Sequence, residues 1–321
     1  MPKVQPTPGP GVPILGPVFR LVFAGPGRRL APLWTVALVV GLGAYWGWSE
    51  FGPHIVASPQ YHVTSETIVV TPPPAWIKAD VKLEALRDAS IDLPVSVLDD
   101  QLVERIARAF AFHPWVASVA RVQKSPPASV VVELAYRKPV CMVELPDRSG
   151  LYAVDGQATL LPSRDFLDDP QSPTRYPRLS GVSAVAVGRV GAPWADPLVV
   201  GGAAIAAELQ SAWTELGLQR IAQLAGTTVE TTGAQFELHT RRGSRIAWGS
   251  PPGREADGEM TSADKVAALR RYVADHGSLE GRDGPQRLDL RGAHVVVLAM
   301  DPEHSKSAGD AATKPGDKLR K

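Results

Sequence analysis

The sequence predicts an α+β protein of two folded units behind a single N-terminal transmembrane helix. Three observations predict it. Leu30 to Trp48 (LAPLWTVALVVGLGAYWGW) is a near-continuous apolar run, about as long as a helix needs to be to cross a bilayer's hydrocarbon core. Residues 58–137 then read strand, helix, helix, strand, strand, an order in which two helices cover one face of a small sheet. Residues 138–300 read as a mixed β-sheet domain carrying two further helices.

The orientation of the apolar run follows from its flanks. Lys3, Arg20, Arg28 and Arg29 precede it without an acidic residue, Glu50 is the first charge after it, and no Lys or Arg follows until Lys78. That asymmetry sets the N-terminus in the cytoplasm and the bulk of a single-pass protein on the far side of a membrane. A cleaved secretory signal would have a shorter core and a small-residue cleavage site. Here the run ends in Tyr45, Trp46, Trp48 and Phe51, rings suited to a membrane interface, so an uncleaved anchor over 30–52 is expected. Gly43 and Gly47 form one G-x-x-x-G pair that would let a second membrane helix approach closely.

Composition narrows the function classes. The chain has 321 residues and a net charge of +1, without the basic excess of a nucleic-acid binder. A single cysteine, Cys141, excludes internal disulfides and the usual zinc spacings. Thirty prolines and 29 glycines indicate a turn-rich exterior. Residues 1–29 are Pro/Gly-rich and read as a disordered cytoplasmic tail, and residues 301–321 as a solvated, disordered one.

The elements follow in order. Tyr61 to Thr71 is β-branched and alternating, a strand ended by Pro72-Pro73-Pro74. Ile77 to Ala89 has helical spacing, with Ile77, Val81, Ala85 and Leu86 on one face. Asp99 caps a second amphipathic helix through Phe112, faced by Leu102, Val103, Ile106, Ala109 and Phe110 and ended by His113-Pro114. Trp115 to Gln123 and Ser129 to Tyr136 are strands around the turn Ser125-Pro126-Pro127. Val140 to Leu145, Leu151 to Val154 and Thr159 to Leu161 form a meander turning at Asp155-Gly156, followed by a loop over 162–178. Asp196-Pro197 starts a long helix with Ile205, Leu209, Trp213 and Leu216 inward, ended by Gly217. Gln235 to Thr240 and Arg245 to Trp248 make a hairpin, and Thr261 or Ser262 caps a helix running to Gly277. The last strands are Gln286 to Leu290 and His294 to Ala299.

This order and its punctuation resemble the FtsQ/DivIB family of bacterial division proteins. His113-Pro114-Trp115-Val116 with Ala120-Arg121-Val122 resembles the family's passage from helix to strand. Pro127, Val130 to Leu134 and Arg137-Lys138-Pro139-Val140 resemble its "P-x-x-L-x-V-x-V-x-E-R-x-P-V-A" run, with Tyr136 in place of the Glu. Val154-Asp155-Gly156, Tyr176-Pro177-Arg178-Leu179-Ser180-Gly181, Trp248-Gly249-Ser250, Lys265 and Leu288-Asp289-Leu290-Arg291 follow colinearly. The resemblance implies a βααββ POTRA domain over 58–137, a β domain over 138–300, and a bitopic inner-membrane protein with its bulk in the periplasm, at the division septum. It implies a non-enzymatic scaffold that binds FtsB/FtsL-like coiled-coil membrane proteins by β-strand addition and links them to septal wall synthesis. The alternative is a POTRA-containing envelope protein for secretion or outer-membrane assembly, which would call for repeated units and barrel strands.

No constellation in the exterior part assembles an active site, and no cofactor, metal or small-molecule substrate is expected. Ser262-x-x-Lys265 has the spacing of penicillin-binding enzymes without their S-D-N and K-T-G partners, and Ser262 stands where a helix cap is wanted. The seven histidines never fall at ligand spacing. Cys141 reads as a small apolar strand residue and Trp115 as a core anchor. The candidate partner-binding segment is the last strand, His294, Val295, Val296, Val297 and Leu298, apolar and followed at once by the polar tail. At a sheet edge such a strand offers unpaired N–H and C=O groups to a partner strand, whereas in mid-sheet it only fills the core. The resemblance implies the edge, and it implies that Arg291 meets an acidic residue of the partner.

Overall fold

A computed structural model of the chain describes residues 31–56, 58–145, 150–167, 176–183, 188–227, 229, 233–281 and 284–298. The expected tails 1–29 and 301–321 and the end of the last expected strand, Ala299, lie outside these residues.

The first described element, helix α1 (Ala31–Val56), corrects the expected anchor. No helix among the described residues is long and apolar enough to cross a membrane. Length is not what α1 lacks, since its 26 residues rise about 39 Å. Leu33, Val36, Leu38, Val39, Val40 and Leu42, six of its eight Leu, Ile and Val residues, are crowded into ten positions, about 15 Å of rise and half the ~30 Å required. From Gly43 to Pro53 the helix is mostly Gly, Trp, Tyr, Ser and Glu50, which gain little or lose free energy on leaving water, and Ile55 and Val56 follow only beyond Pro53 and His54. A Cβ built at Gly43 or Gly47 meets no atom of this chain within 4 Å, so neither glycine serves a close contact within the described residues.

The first unit departs from the expected strand–helix–helix–strand–strand order at two places, a split first strand and a short strand between the helices. Tyr61–Thr71 is not one strand but two, β1 (His62–Val63) and β2 (Ile68–Val70), because the Thr67 hydroxyl and the Thr64 backbone close a tight turn between them. α2 (Val81–Asp88) starts where the Asp80 carboxylate accepts from the Leu83 N–H, four residues later than the periodicity suggested. β3 (Val95–Ser96) pairs with β1, away from the main sheet. α3 (Leu102–Ala111) buries Leu102, Ile106, Ala109 and Phe110, the i, i+4, i+7, i+8 stripe of an amphipathic helix. β4 (Val116–Ser125) and β5 (Ser129–Tyr136) are antiparallel, and β2 lies parallel to β5, giving the order β2-β5-β4. Trp115 is fully buried, as an anchor should be.

The second unit is built on one eight-stranded sheet. Its strands are β6 (Pro139–Glu144), β7 (Leu151–Asp155), β8 (Arg178–Ser180), β9 (Leu218–Gln223), β10 (Phe236–Thr240), β11 (Arg245–Gly249), β12 (Arg287–Asp289) and β13 (Val296–Leu298), in the order β13-β12-β11-β10-β9-β8-β6-β7. Thr159–Leu161 makes only isolated bridges, and a short helix α4 (Arg164–Leu167) stands in the expected loop. α5 (Pro197–Glu208), capped by Asp196, and α6 (Ser262–His276), capped by Thr261, share one core with the sheet. α5 ends at Glu208, eight residues short of the expected end, and turns carry the chain to Gly217 at φ +64°. Leu179, Ile221, Leu238, Ile246, Leu288 and Val297 stand in direct cross-strand register across six strands. All but Val297, at the edge, are buried in that core.

The units are joined by packing as well as by chain. Met142, Ala153 and Leu161 belong to the core of the first unit. The Trp115 indole donates to Asp165 of α4 at 2.5 Å, and the Arg137 guanidinium reaches Asp155 at 2.7 Å and Thr159 at 3.2 Å.

Candidate functional site: a free strand edge

β13 is the end strand of the large sheet. It pairs antiparallel with β12, Leu298 opposite Arg287, Val297 opposite Leu288 and Val296 opposite Asp289, and carries no strand on its other side among the described residues. Its side chains are half open to solvent, Val296 at 50%, Val297 at 54% and Leu298 at 38%. A short apolar strand with one free row of backbone donors and acceptors is a template for another chain. Of the expected segment, Val296, Val297 and Leu298 form this strand. His294 is exposed in the bend before it, and Val295 packs back on the core.

Arg291 is committed within the chain. Its Nε and Nη2 grip the Asp289 carboxylate in a fork, at 3.0 and 2.5 Å, and its N–H donates to the same carboxylate at 2.9 Å. The Arg291 guanidinium holds the Asp289 carboxyl below the usual carboxylate range. The fork fixes the bend that leads from β12 into β13. A partner carboxylate would therefore meet Arg291 at its remaining nitrogen, Nη1.

At the end of β11, two strands in from this edge, sits a buried ion pair. Lys265 of α6 is wholly buried, with Nζ 2.5 Å from Glu259 Oε1 and 5.1 Å from the centre of the Trp248 ring. Glu259 also accepts from the N–H groups of Ser250 and Ala256 at 2.8 and 2.9 Å. Burial pushes its carboxyl up, but the Lys265 ammonium and the two amides outweigh that and hold it low. Gly249, at φ +89°, allows this approach: a Cβ there would collide with Glu259 and lie 2.9 Å from Arg291 Cγ. Trp248, Gly249, Ser250, Lys265 and Arg291, scattered in sequence, thus form one support at the end of β11. Ser262 is no part of it. Its hydroxyl donates to Glu255 while Lys265 faces Glu259, so the S-x-x-K spacing assembles no nucleophile.

The opposite face of the sheet holds a feature that the sequence reading missed. Arg178, Arg220, His239, Arg245 and Arg287 stand in direct register across five strands, ending beside Leu298. Like charges in register repel. Glu237 offsets part of this, 2.6 Å from His239 and 3.7 Å from Arg245, and Glu144 lies 3.6 Å from Arg220. Arg287 Nε is buried without a hydrogen-bond partner among the described residues. Each arginine occupies an outward position of its strand, a signal present in the sequence, but the row exists only once strand order is known.

The remaining residues singled out are structural. Burial pushes the Cys141 thiol up to about 12, which leaves it inert. No cluster among the described residues has the makings of a metal site. In the first unit β2 and β4 are both outer strands, and β4, ten residues long, is the longer open edge. No family model matches this chain, and no curated protein is similar to it.

Proposed function

We propose that this chain is a non-enzymatic scaffold of the bacterial division machinery, resembling the FtsQ/DivIB family. In this reading it binds FtsB/FtsL-like coiled-coil proteins by accepting a partner strand on β13 and links them to septal wall synthesis. The observation that carries the reading is the position of β13 at the end of the large sheet, half exposed and paired on one side. The colinear motifs support it as well: Trp248-Gly249-Ser250, Lys265 and Leu288-Asp289-Leu290-Arg291 converge at the end of β11, beside the bend that leads into β13. The basic row beside Leu298 adds a positive field that favours a partner with acidic residues near its strand.

Main-chain hydrogen bonds supply most of the affinity in strand addition, so a residue without an N–H should break it. Val297→Pro is expected to abolish capture of the coiled-coil partners in a pull-down from dividing cells, while far-UV circular dichroism stays that of the parent. The Val297 N–H faces away from β12, whereas those of Val296 and Leu298 face it. Undiminished capture by the variant would show that the partner docks elsewhere.

A further inference from the structure

A groove of about 680 Å³ opens in the first unit between α2 and α3, a volume typical of ligand sites. Its floor is apolar: Ala85, Ala89, Ile91 and Ala109. Its far wall comes from the second unit. Gly191, at φ +90°, packs so closely on Pro114 that a Cβ would lie 3.1 Å from Pro114 Cα. The same loop places the Arg189 guanidinium 5.6 Å from the centre of the Phe112 ring, itself 65% exposed at the end of α3. Among the described residues lining the groove, Arg105, Arg108 and Arg189 face a single carboxylate, Asp88. Arg105 and Arg108 have partners on their own helix or its cap, Asp99 at 3.3 Å and Glu104 at 2.5 Å, but exposed pairs of this kind add little stability and exchange readily.

We propose that this groove seats an acidic peptide segment of a partner protein. One large apolar side chain of that segment rests on the alanine floor against Phe112, and its carboxylates take Arg105, Arg108 and Arg189. The charge of the rim selects an anion, and the exposed ring and apolar floor select a side chain over a free inorganic ion. The concavity favours a peptide over a bilayer, because a flat membrane surface cannot follow a floor closed off by the loop at 188–191. No residue of β13 lines the groove, so this inference is independent of the strand-addition reading.

The test is to pan random dodecapeptides displayed on phage against the full chain, with counter-selection on the Arg108→Glu/Arg189→Glu variant. The expected result is enrichment of acidic sequences around one aromatic or large aliphatic residue. A synthetic copy should bind about tenfold more weakly to either single variant, and as weakly to Ala89→Trp, which fills the floor. Val297→Pro should bind it as the parent does. Circular dichroism identical to the parent's would show that the exposed arginine variants fold. Absence of enrichment, enrichment of neutral or basic peptides, or equal binding by the charge-reversed variants would overturn the proposal. So would arginine-dependent binding to phosphatidylglycerol vesicles without peptide binding, which would assign the site to lipid.

Discussion

Lys265 shows how much a single residue carries in this fold. Its ammonium has no access to water and meets one carboxylate and one ring face. Removing one partner of such a pair strands the other charge, at a cost of about 3–5 kcal/mol, whereas removing both at similar volume is often neutral. Lys265→Met is therefore expected to lower the urea midpoint by that equivalent, and Lys265→Met with Glu259→Gln to recover most of it. Recovery by the double variant would place the penalty in the stranded Glu259. His113 offers a pH test at the same scale. Burial lowers its pKa below 6.5, against the pull of Glu84 at 3.3 Å. The unfolded chain therefore takes up a proton before the folded one does. The stability this contributes is complete above about pH 6.5 and is lost as the pH falls through the folded value. Urea midpoints at descending pH should fall for the parent and less steeply for His113→Gln. Parallel curves would remove His113 as the cause.

Among the elements, α5 packs directly on the sheet through two glycines. A Cβ at Gly202 would come within 2.5 Å of Leu179, and one at Gly201 within 2.6 Å of Phe236. Gly202→Val should force the helix outward and cost about 1–3 kcal/mol, read as a lower urea midpoint. An unchanged midpoint would mean that the helix shifts freely. The later helices were legible in the sequence because their punctuation is local: Asp196 and Thr261 cap the observed starts and Gly277 the last end, whereas Asp80 was passed over and Asp99 stands two residues before the N-cap, Gln101. The strands were less so. β9 was missed because LQRIAQ is short and only partly alternating, and it is held as a strand by partners about 15 and 40 residues away in sequence, β10 and β8. α1 was read as a span by counting Gly and Trp as apolar, although their transfer to hydrocarbon yields little.

At the scale of the whole molecule, two cores meet at a junction built by Arg137, Asp155, Trp115 and Asp165. The segment 294–298 could be singled out from composition alone, but whether it lay at an edge or in mid-sheet depended on the order of eight strands, which no local pattern encodes. The same holds for the basic row and for the groove, whose walls come from residues about 75 to 100 positions apart. The central claim is that the outer edge of β13 receives a partner's strand. Site-specific photo-crosslinking from Val296 in dividing cells, with captured proteins identified by mass spectrometry, tests it most directly. The account predicts small coiled-coil division proteins, captured from Val296 and lost when Val297→Pro is added. Capture of secreted clients or barrel proteins, or no capture at all, would contradict it.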